Sequence, residues 1–186
     1  MTNAQTTDAD TLAPHTFGTG APLLCLGFAD PGSSALLQQL AASRQVFATP
    51  AHSAAAALQT PASGKFTLLA KASEIGAALT LAAAHPDEVE ALVLLAPSQA
   101  SVEENGDKLA EAKVQILLLA GTNDNETGEA ATAFKRRLAA CHLVYVYDAG
   151  RDMDTERPEA VAKVTQDFLT RRDKFLVSNA DGRITK

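Results

Sequence analysis

Short apolar runs alternate with longer amphipathic segments along most of the chain. Six runs are almost continuously apolar, which is typical of strands buried on both faces, and they span residues 22–27, 45–49, 66–70, 89–95, 114–120 and 142–147. Four longer segments repeat their apolar residues at helical spacing and predict helices over 33–43, 73–85, 128–140 and 158–171. In the first helix Leu36, Leu37 and Leu40 share one face, and Pro86 ends the second.

The order of these segments predicts an α/β fold. Strands that are buried on both faces and separated by helices form a mostly parallel sheet. Right-handed crossovers then give a doubly wound, three-layer sandwich of about six strands with helices on both faces. Ligands of such sheets gather at the carboxyl ends of the strands. The loops in which to search for a site are therefore 27–33, 49–64, 71–74, 96–112, 121–127 and 148–157.

The chain of 186 residues is long enough for one domain with a sizeable core. We expect residues 13–173 to form that domain. Residues 1–12 are polar and are expected to be disordered, and residues 174–186 to form a tail or an extended arm. The Ala- and Ser-rich segment 51–64 is expected to hold one short helix.

Composition excludes several classes of partner. Hydrophobic residues make up 46% of the chain and charged residues 20%, and the formal net charge of −6 does not favour nucleic acid. No apolar run approaches the ~20 residues of a membrane span, and no secretory signal is seen, so we expect a cytoplasmic protein without a membrane partner. Cys25 and Cys141 are interpreted as small buried hydrophobes. No Cys or His spacing suits a metal and no phosphate-binding loop is present, so no cofactor is expected.

Residues 69–97 resemble the nucleophile-elbow strand, the helix and the following strand of the α/β-hydrolase family. Their sequence is LAKASEIGAALTLAAAHPDEVEALVLLAP. Three further segments agree in order. Residues 22–34 resemble the strand and oxyanion loop, and residues 116–125 the strand that carries the acid. Residues 146–169 resemble the histidine loop with the last helix. The resemblance implies an α/β-hydrolase fold. Because the cap insertion is missing or reduced to 98–113, it also implies a small, cap-less member.

The catalytic motifs of that family are degenerate in this chain. The family uses a nucleophile on a sharp strand-to-helix turn, then an acid, then a histidine. An ungapped count back from His85 puts the nucleophile position at Ala72, and the family's G-x-S-x-G reads A-K-A-S-E over residues 70–74. The serine and both glycines are therefore replaced. Glu74 and Asp30 would also place negative charge where an oxyanion should form.

The resemblance puts the acid at Asp124 and the base at Arg151. Arginine stays protonated, so it cannot act as a base near neutrality. We expect Asp124 to cap the helix that follows it, in preference to serving as a residual acid. We also expect Asp124 and Arg151 to form an ion pair, with their charged groups within about 6 Å. His142 is placed at the amino end of its strand, away from this site.

The favoured hypothesis is an α/β-hydrolase-fold protein without hydrolase activity. It would bind an unknown small molecule or protein at the degenerate cleft, through Gly27, Phe28, Ser98 and Arg151. An open, apolar pocket would favour ligand binding. A cleft filled by Phe28, Met153 and Arg151 would favour a scaffold.

Two alternatives remain. One is a small serine esterase-type hydrolase with a relocated nucleophile, Ser73 or Ser98, acting with His52. The Ser73 hydroxyl is more simply interpreted as an N-cap of the following helix. The other is a structural or assembly protein, a possible homodimer formed through the sheet edge or residues 174–186.

Overall fold

The computed structural model describes residues 15–49, 64–105, 114–138 and 140–175. They contain seven strands, which are β1 (His15–Phe17), β2 (Ala21–Leu26), β3 (Arg44–Thr49), β4 (Phe66–Lys71), β5 (Val89–Leu95), β6 (Gln115–Gly121) and β7 (Cys141–Val146). The helices are α1 (Ala35–Ala41), α2 (Ile75–Ala84), α3 (Gln99–Glu104), α4 (Asn125–Arg137), α5 (Met153–Glu156) and α6 (Pro158–Arg171). Two 3-10 turns cover Ala72–Glu74 and Arg172–Lys174.

The strands form one sheet in the order β1-β3-β2-β4-β5-β6-β7. All neighbours from β3 to β7 are parallel, and β1 alone pairs antiparallel, with β3. The predicted α/β sheet is confirmed, with one strand more than the six apolar runs. The additional strand was missed because its three residues, His15 to Phe17, are too few and too exposed to show a hydrophobic period.

Two hydrophobic cores cover the two faces of the sheet, which makes the three-layer sandwich. One core packs α2, α3 and α4 against the sheet, and includes Leu79, Val102 and Phe134. The other packs α1, α5 and α6, and includes Leu36, Leu37 and Leu40, which are fully buried as their spacing predicted. Both faces of the central strands are apolar because both are covered.

Several element boundaries differ from the predictions because local hydrogen bonds set them. The predicted helix 73–85 is a 3-10 turn followed by α2. The predicted helix 128–140 begins earlier, at Asn125, because Asp124 caps it. Helix α3 was not predicted. It has six residues and is held by a capping box in which Ser98 and Ser101 exchange hydrogen bonds.

The first two residues of the predicted domain, 13 and 14, lie outside the described residues, as do most of the predicted 51–64 helix and residues 1–12 and 176–186. The first residues of the predicted tail are described, and there Phe175 is buried. Its ring packs edge-on against His142, with a centroid distance of 5.2 Å, and against Phe168 at 5.4 Å. The chain therefore stays packed on the sheet up to Phe175.

Cys25 and Cys141 are both free and buried, as predicted. Burial raises the pKa of both thiols, that of Cys141 to about 12. Within the described ranges, no helix combines the length and the apolar character that a bilayer crossing requires.

Candidate functional site

The sequence-predicted site residues follow β4, β6 and β7 at the carboxyl edge of the sheet. Ala72 opens the 3-10 turn after β4, Asp124 immediately precedes α4, and Arg151 lies in the loop between β7 and α5. The three strands β4, β6 and β7 run parallel, with β5 between the first two. Their turns therefore meet on one side of the sheet, which is the side where ligands of such folds bind.

The turn after β4 carries no nucleophilic side chain at the position that the resemblance assigns to the nucleophile. Ala72 is half-buried and carries only a methyl group, and Ser73 is exposed. Ser73 was predicted to cap the following helix, and this is wrong. Ser73 lies inside the 3-10 turn. The N-cap of that turn is Lys71 and the N-cap of α2 is Glu74, and neither side chain makes a capping hydrogen bond. The α-helix starts at Ile75, two residues later than the pattern predicted.

Glu74 lies beside the loop that the resemblance identifies with oxyanion binding. Its side chain is buried, and a Cβ built at Gly27 would lie 3.0 Å from Glu74 Cγ and 3.3 Å from Lys71 Cβ. Gly27 has a φ of +88°, so a side chain there would be both strained and crowded. Asp30, in contrast, is on the surface, where its carboxylate accepts a 2.7 Å hydrogen bond from Ser33 Oγ.

Lys71 and Asp154 form an ion pair across the cleft that the sequence did not predict. Lys71 Nζ lies 2.8 Å from Asp154 Oδ2, and the exposed fractions of the two side chains are 28% and 5%. The same ammonium lies 5.7 Å from the centroid of the Phe28 ring, within cation–π range. Asp154 Oδ1 is buried without a hydrogen-bond partner in the described part of the chain. In the sequence, only the position of Lys71 beside the expected nucleophile elbow could have pointed to this ion pair. Its partner Asp154 is 83 residues further along the chain.

Asp124 and Arg151 form the predicted ion pair. Arg151 Nε lies 3.3 Å from Asp124 Oδ2, and Arg151 Nη2 lies 3.0 Å from Glu126 Oε2. The predicted capping role is also confirmed. Asp124 accepts from the backbone N–H of Thr127 at 3.2 Å and from the Thr127 hydroxyl at 2.6 Å.

These contacts set the charge states of the pair. The hydroxyl of Thr127 is the main cause that holds the pKa of Asp124 below its usual value, and the charge of Arg151 adds to it. The hydrogen bond and charge of Glu126, with a further contribution from Asp124, raise the pKa of Arg151. A guanidinium held in this way is further still from serving as a base.

The two serines among the fallback catalytic residues lie in the described part of the chain. The Ser98 hydroxyl accepts the backbone N–H of Ser101 at 3.2 Å as the N-cap of α3. His52 lies outside the described residues. His142 is the second residue of β7, toward the amino edge, and packs against Phe168 and Phe175. Burial lowers its pKa, and its Nδ1 has no hydrogen-bond partner among the described residues.

The interior of the cleft is filled and its rim is charged. Phe28 is 3% exposed and Met153 is fully buried, whereas 53% of the Arg151 side chain is exposed. A second rim pair joins Arg157 Nη1 to Asp148 Oδ2 at 3.3 Å. Across the described ranges, no group of three His, Cys, Asp or Glu side chains is placed to hold a metal ion.

Solved structures of several hydrolases share this architecture. A serine hydrolase involved in carbazole degradation superposes with a TM-score of 0.71 over 84% of this chain and 93% of its own, at 14% sequence identity. An α/β-hydrolase enzyme from a sediment metagenome of the Mar Chica lagoon, Morocco, gives 0.68 over 86% and 95%, at 18% identity. The chain has an α/β-hydrolase fold. Naproxen esterase from Bacillus subtilis gives 0.64 over 83% and 86%, at 13% identity.

The likeness lies in the α/β-hydrolase architecture and not in the sequence. No family model matches the chain, and the search of curated proteins gave no match. At sequence identities of 18% or less, the superpositions establish the fold and indicate nothing about activity. Function has to be argued from the residues at the carboxyl edge of this α/β-hydrolase sheet.

Proposed function

We propose that this chain is a small, cap-less, cytoplasmic α/β-hydrolase-fold protein without hydrolase activity, which binds a partner through the loops at the carboxyl edge of its sheet. The observation that carries the proposal is the pair Ala72 and Arg151 at the positions that the resemblance assigns to nucleophile and base. A methyl group cannot attack a carbonyl, and a guanidinium paired with two carboxylates cannot accept a proton.

The charges around the cleft support this interpretation because they are already paired with each other. Lys71 is bonded to Asp154, and Arg151 to Asp124 and Glu126. A hydrolase needs donors that are free to meet a developing oxyanion. In this cleft Glu74 is buried next to Gly27, so negative charge lies beside the loop that would have to supply those donors.

The burial of Phe28 and Met153 favours a protein partner over a small ligand held in a deep apolar pocket. What remains accessible is the polar rim formed by Arg151, Glu126, Arg157 and Asp148. Ser98 and Gly27 would contribute to this site through the backbone of their loops. Charged rims of this kind provide specificity and orientation more than affinity.

Hydrolysis of p-nitrophenyl acetate tests the absence of activity directly. We expect the rate with the wild-type protein to equal the buffer rate and the rate with Ser73→Ala. A fluorophosphonate probe, which labels activated serines, should leave the protein unlabelled. Turnover that disappears in Ser73→Ala, Ser98→Ala or His52→Ala would instead support the relocated-nucleophile hypothesis and overturn the proposal.

Assembly into a homodimer is a second candidate, and the edge of β7 supports it. β7 is the last strand of the sheet, so its outer edge is unpaired within the described part of the chain. Tyr145 and Tyr147 beside it are 49% and 79% exposed. An unpaired edge with exposed aromatic side chains is a template for pairing with another strand. A groove of about 540 Å³ between α4 and Tyr145 extends this surface.

Charge complementarity supports a second copy of this chain as the partner of this edge. Glu129 and Arg136 both line the groove, nearer the amino and the carboxyl end of α4 respectively. A two-fold axis that paired β7 antiparallel with its copy would set the two α4 helices side by side and antiparallel. Glu129 of one copy would then lie toward Arg136 of the other.

Light scattering of the eluted protein tests the dimer. We expect the mass of two chains for the wild type, one chain for Arg136→Glu, and two chains again for the charge swap Glu129→Arg/Arg136→Glu. A wild-type protein with the mass of one chain at micromolar concentration would contradict this candidate, whatever the outcome of the hydrolysis assay.

A further inference from the structure

A second cluster of charged residues lies at the amino edge of the sheet, opposite the cleft. Arg44 is the first residue of β3, Thr67 the second of β4 and Glu90 the second of β5, and Arg172 follows α6. Arg172 Nη2 donates to Glu90 Oε2 at 2.9 Å and to Thr67 Oγ1 at 3.3 Å. Arg172 therefore joins the end of the last long helix to β4 and β5.

Two backbone irregularities build the cluster. Phe66 pairs with Val89 and Thr67 with Ala91, so Glu90 is an extra residue in β5 and forms a β-bulge. Bulges change the direction in which a strand presents its side chains. Arg172 has a φ of +47°, in the left-handed region that residues other than glycine rarely adopt. Strained non-glycine positions of this kind concentrate at functional sites.

The positive charge of the cluster exceeds its negative charge. Burial is the main cause that lowers the pKa of Arg44, the positive charge of Arg172 lowers it further, and the charge of Glu90 opposes both. Arg44 and Thr67 face the same side of the sheet, since Val46 and Leu69, two residues further along their strands, belong to the core that packs under α6. The guanidinium of Arg172, which follows α6, is hydrogen-bonded to Thr67 on that face, and Glu90 is the one carboxylate of the cluster. Like charges that are half-buried destabilise each other unless an anion compensates them.

One guanidinium hydrogen-bond donor in the cluster also has no acceptor. Arg172 Nη1 is buried and has no hydrogen-bond partner among the described residues. The side chain as a whole keeps 24% of its surface exposed, and that of Glu90 keeps 38%, so the cluster borders solvent. A buried donor without a partner is unfavourable, which means that an added acceptor here would stabilise the protein.

We propose that Arg44 and Arg172 form a binding site for a small oxyanion, a phosphate or a carboxylate group. Planar guanidinium groups match the oxygens of both anions, and charge-assisted bonds of this type are strong. An oxyanion between the two side chains neutralises the surplus positive charge and offers an acceptor to Arg172 Nη1. Glu90 and Thr67 hold Arg172 in position for it. The site is separate from the cleft and does not depend on its proposed function.

Titration with inorganic phosphate at constant ionic strength, followed by thermal unfolding and calorimetry, tests the site. Arg44→Gln is the informative variant, and Lys163→Gln, at an exposed position of α6, is its control, because it also removes one positive charge. We expect phosphate to raise the Tm of the wild type and the control, and the affinity of Arg44→Gln to fall about tenfold or more. In phosphate-free buffer Arg44→Gln should be at least as stable as the wild type, since it removes a repulsion.

Titration with acetate separates the two anions. A Tm increase that depends on Arg44 with either phosphate or acetate supports the site and identifies the oxyanion class. An equal response of all three proteins, or no response of the wild type to either anion, would overturn the proposal. So would a loss of stability in Arg44→Gln that is the same with and without anion, because Arg44 would then be purely structural.

Discussion

Lys71 Nζ and Asp154 Oδ2 are 2.8 Å apart, and their ion pair joins the end of β4 to helix α5 across the cleft. The carboxylate is almost fully buried, whereas the ammonium keeps about a quarter of its surface. Since Lys71 directly precedes Ala72 in the chain, the pair lies next to the position that the resemblance assigns to the nucleophile.

Removing one member of this pair should destabilise the protein strongly. Lys71→Met leaves the buried carboxylate of Asp154 without its cation, and we expect a loss of about 3 kcal/mol in the free energy of unfolding, measured in urea. The double variant Lys71→Met/Asp154→Leu removes both charges and should recover most of that loss. If the double variant is as unstable as the sum of the two single variants, the pair does not act as a unit.

Substitution of Arg151 should change the free energy of unfolding only slightly, in contrast to substitution of Lys71. The side chain is more than half exposed, and pairs of this type contribute less than about 1 kcal/mol. We expect Arg151→Ala to lower the urea midpoint slightly at low salt and hardly at all in 1 M NaCl, where charges are screened. A loss above about 2 kcal/mol would mean that Arg151 holds the loop in a way that these contacts do not explain.

The Asp124 carboxylate should make stability depend on pH at the acid end. Its pKa in the folded protein is lowered, chiefly by the Thr127 hydroxyl, so folding favours the ionised form. The stabilisation is complete above the unfolded pKa, close to 3.8, and is lost as the pH falls through the lower folded value. Asp124→Asn keeps an N-cap but does not titrate.

Unfolding of wild type and Asp124→Asn between pH 2 and pH 6 isolates this effect from other acidic groups. We expect a constant stability difference in favour of the wild type above pH 4 and a shrinking difference below it. A difference that is independent of pH would show that the capping geometry, not the charge of Asp124, stabilises the turn.

Replacement of Gly121 by alanine should destabilise the protein, whereas replacement of Gly128 should be tolerated. A Cβ at Gly121 would overlap with the backbone carbonyl oxygens of Ala149 and Gly150, and neither oxygen can move freely. Gly121→Ala should therefore displace the loop that carries Arg151 and lower the Tm markedly. At Gly128, inside α4, the nearest atom is Tyr145 Cε1 at 3.5 Å, so alanine fits.

Gly128→Ala is thus the matched control for Gly121→Ala. It should raise the free energy of unfolding by about 0.5–1 kcal/mol because alanine is the better helix former. Equal Tm values for the two variants would show that the close approach of β6 to residues 149–150 is looser than the distances indicate.

The sequence by itself determined the fold, and it placed Ala72 and Arg151 at the positions that the resemblance assigns to nucleophile and base. Apolar runs separated by amphipathic segments allow few arrangements other than a covered parallel sheet, and all six predicted strands are present. The cap at Asp124 was also predictable, because capping depends on residues three positions apart. The ion pair of Asp124 with Arg151 followed from their strand ends, since parallel strands bring those ends to one edge.

The tertiary structure decided the contacts that no local pattern contains. Lys71 and Asp154 are 83 residues apart, and Thr67 and Arg172 are 105 apart, so neither pair leaves a periodic signal. The start of α2 was mispredicted because the helix pattern does not show that a 3-10 turn precedes it. Which charges meet depends on how loops and the bulge at Glu90 direct side chains, and that direction is fixed only when the whole sheet is packed.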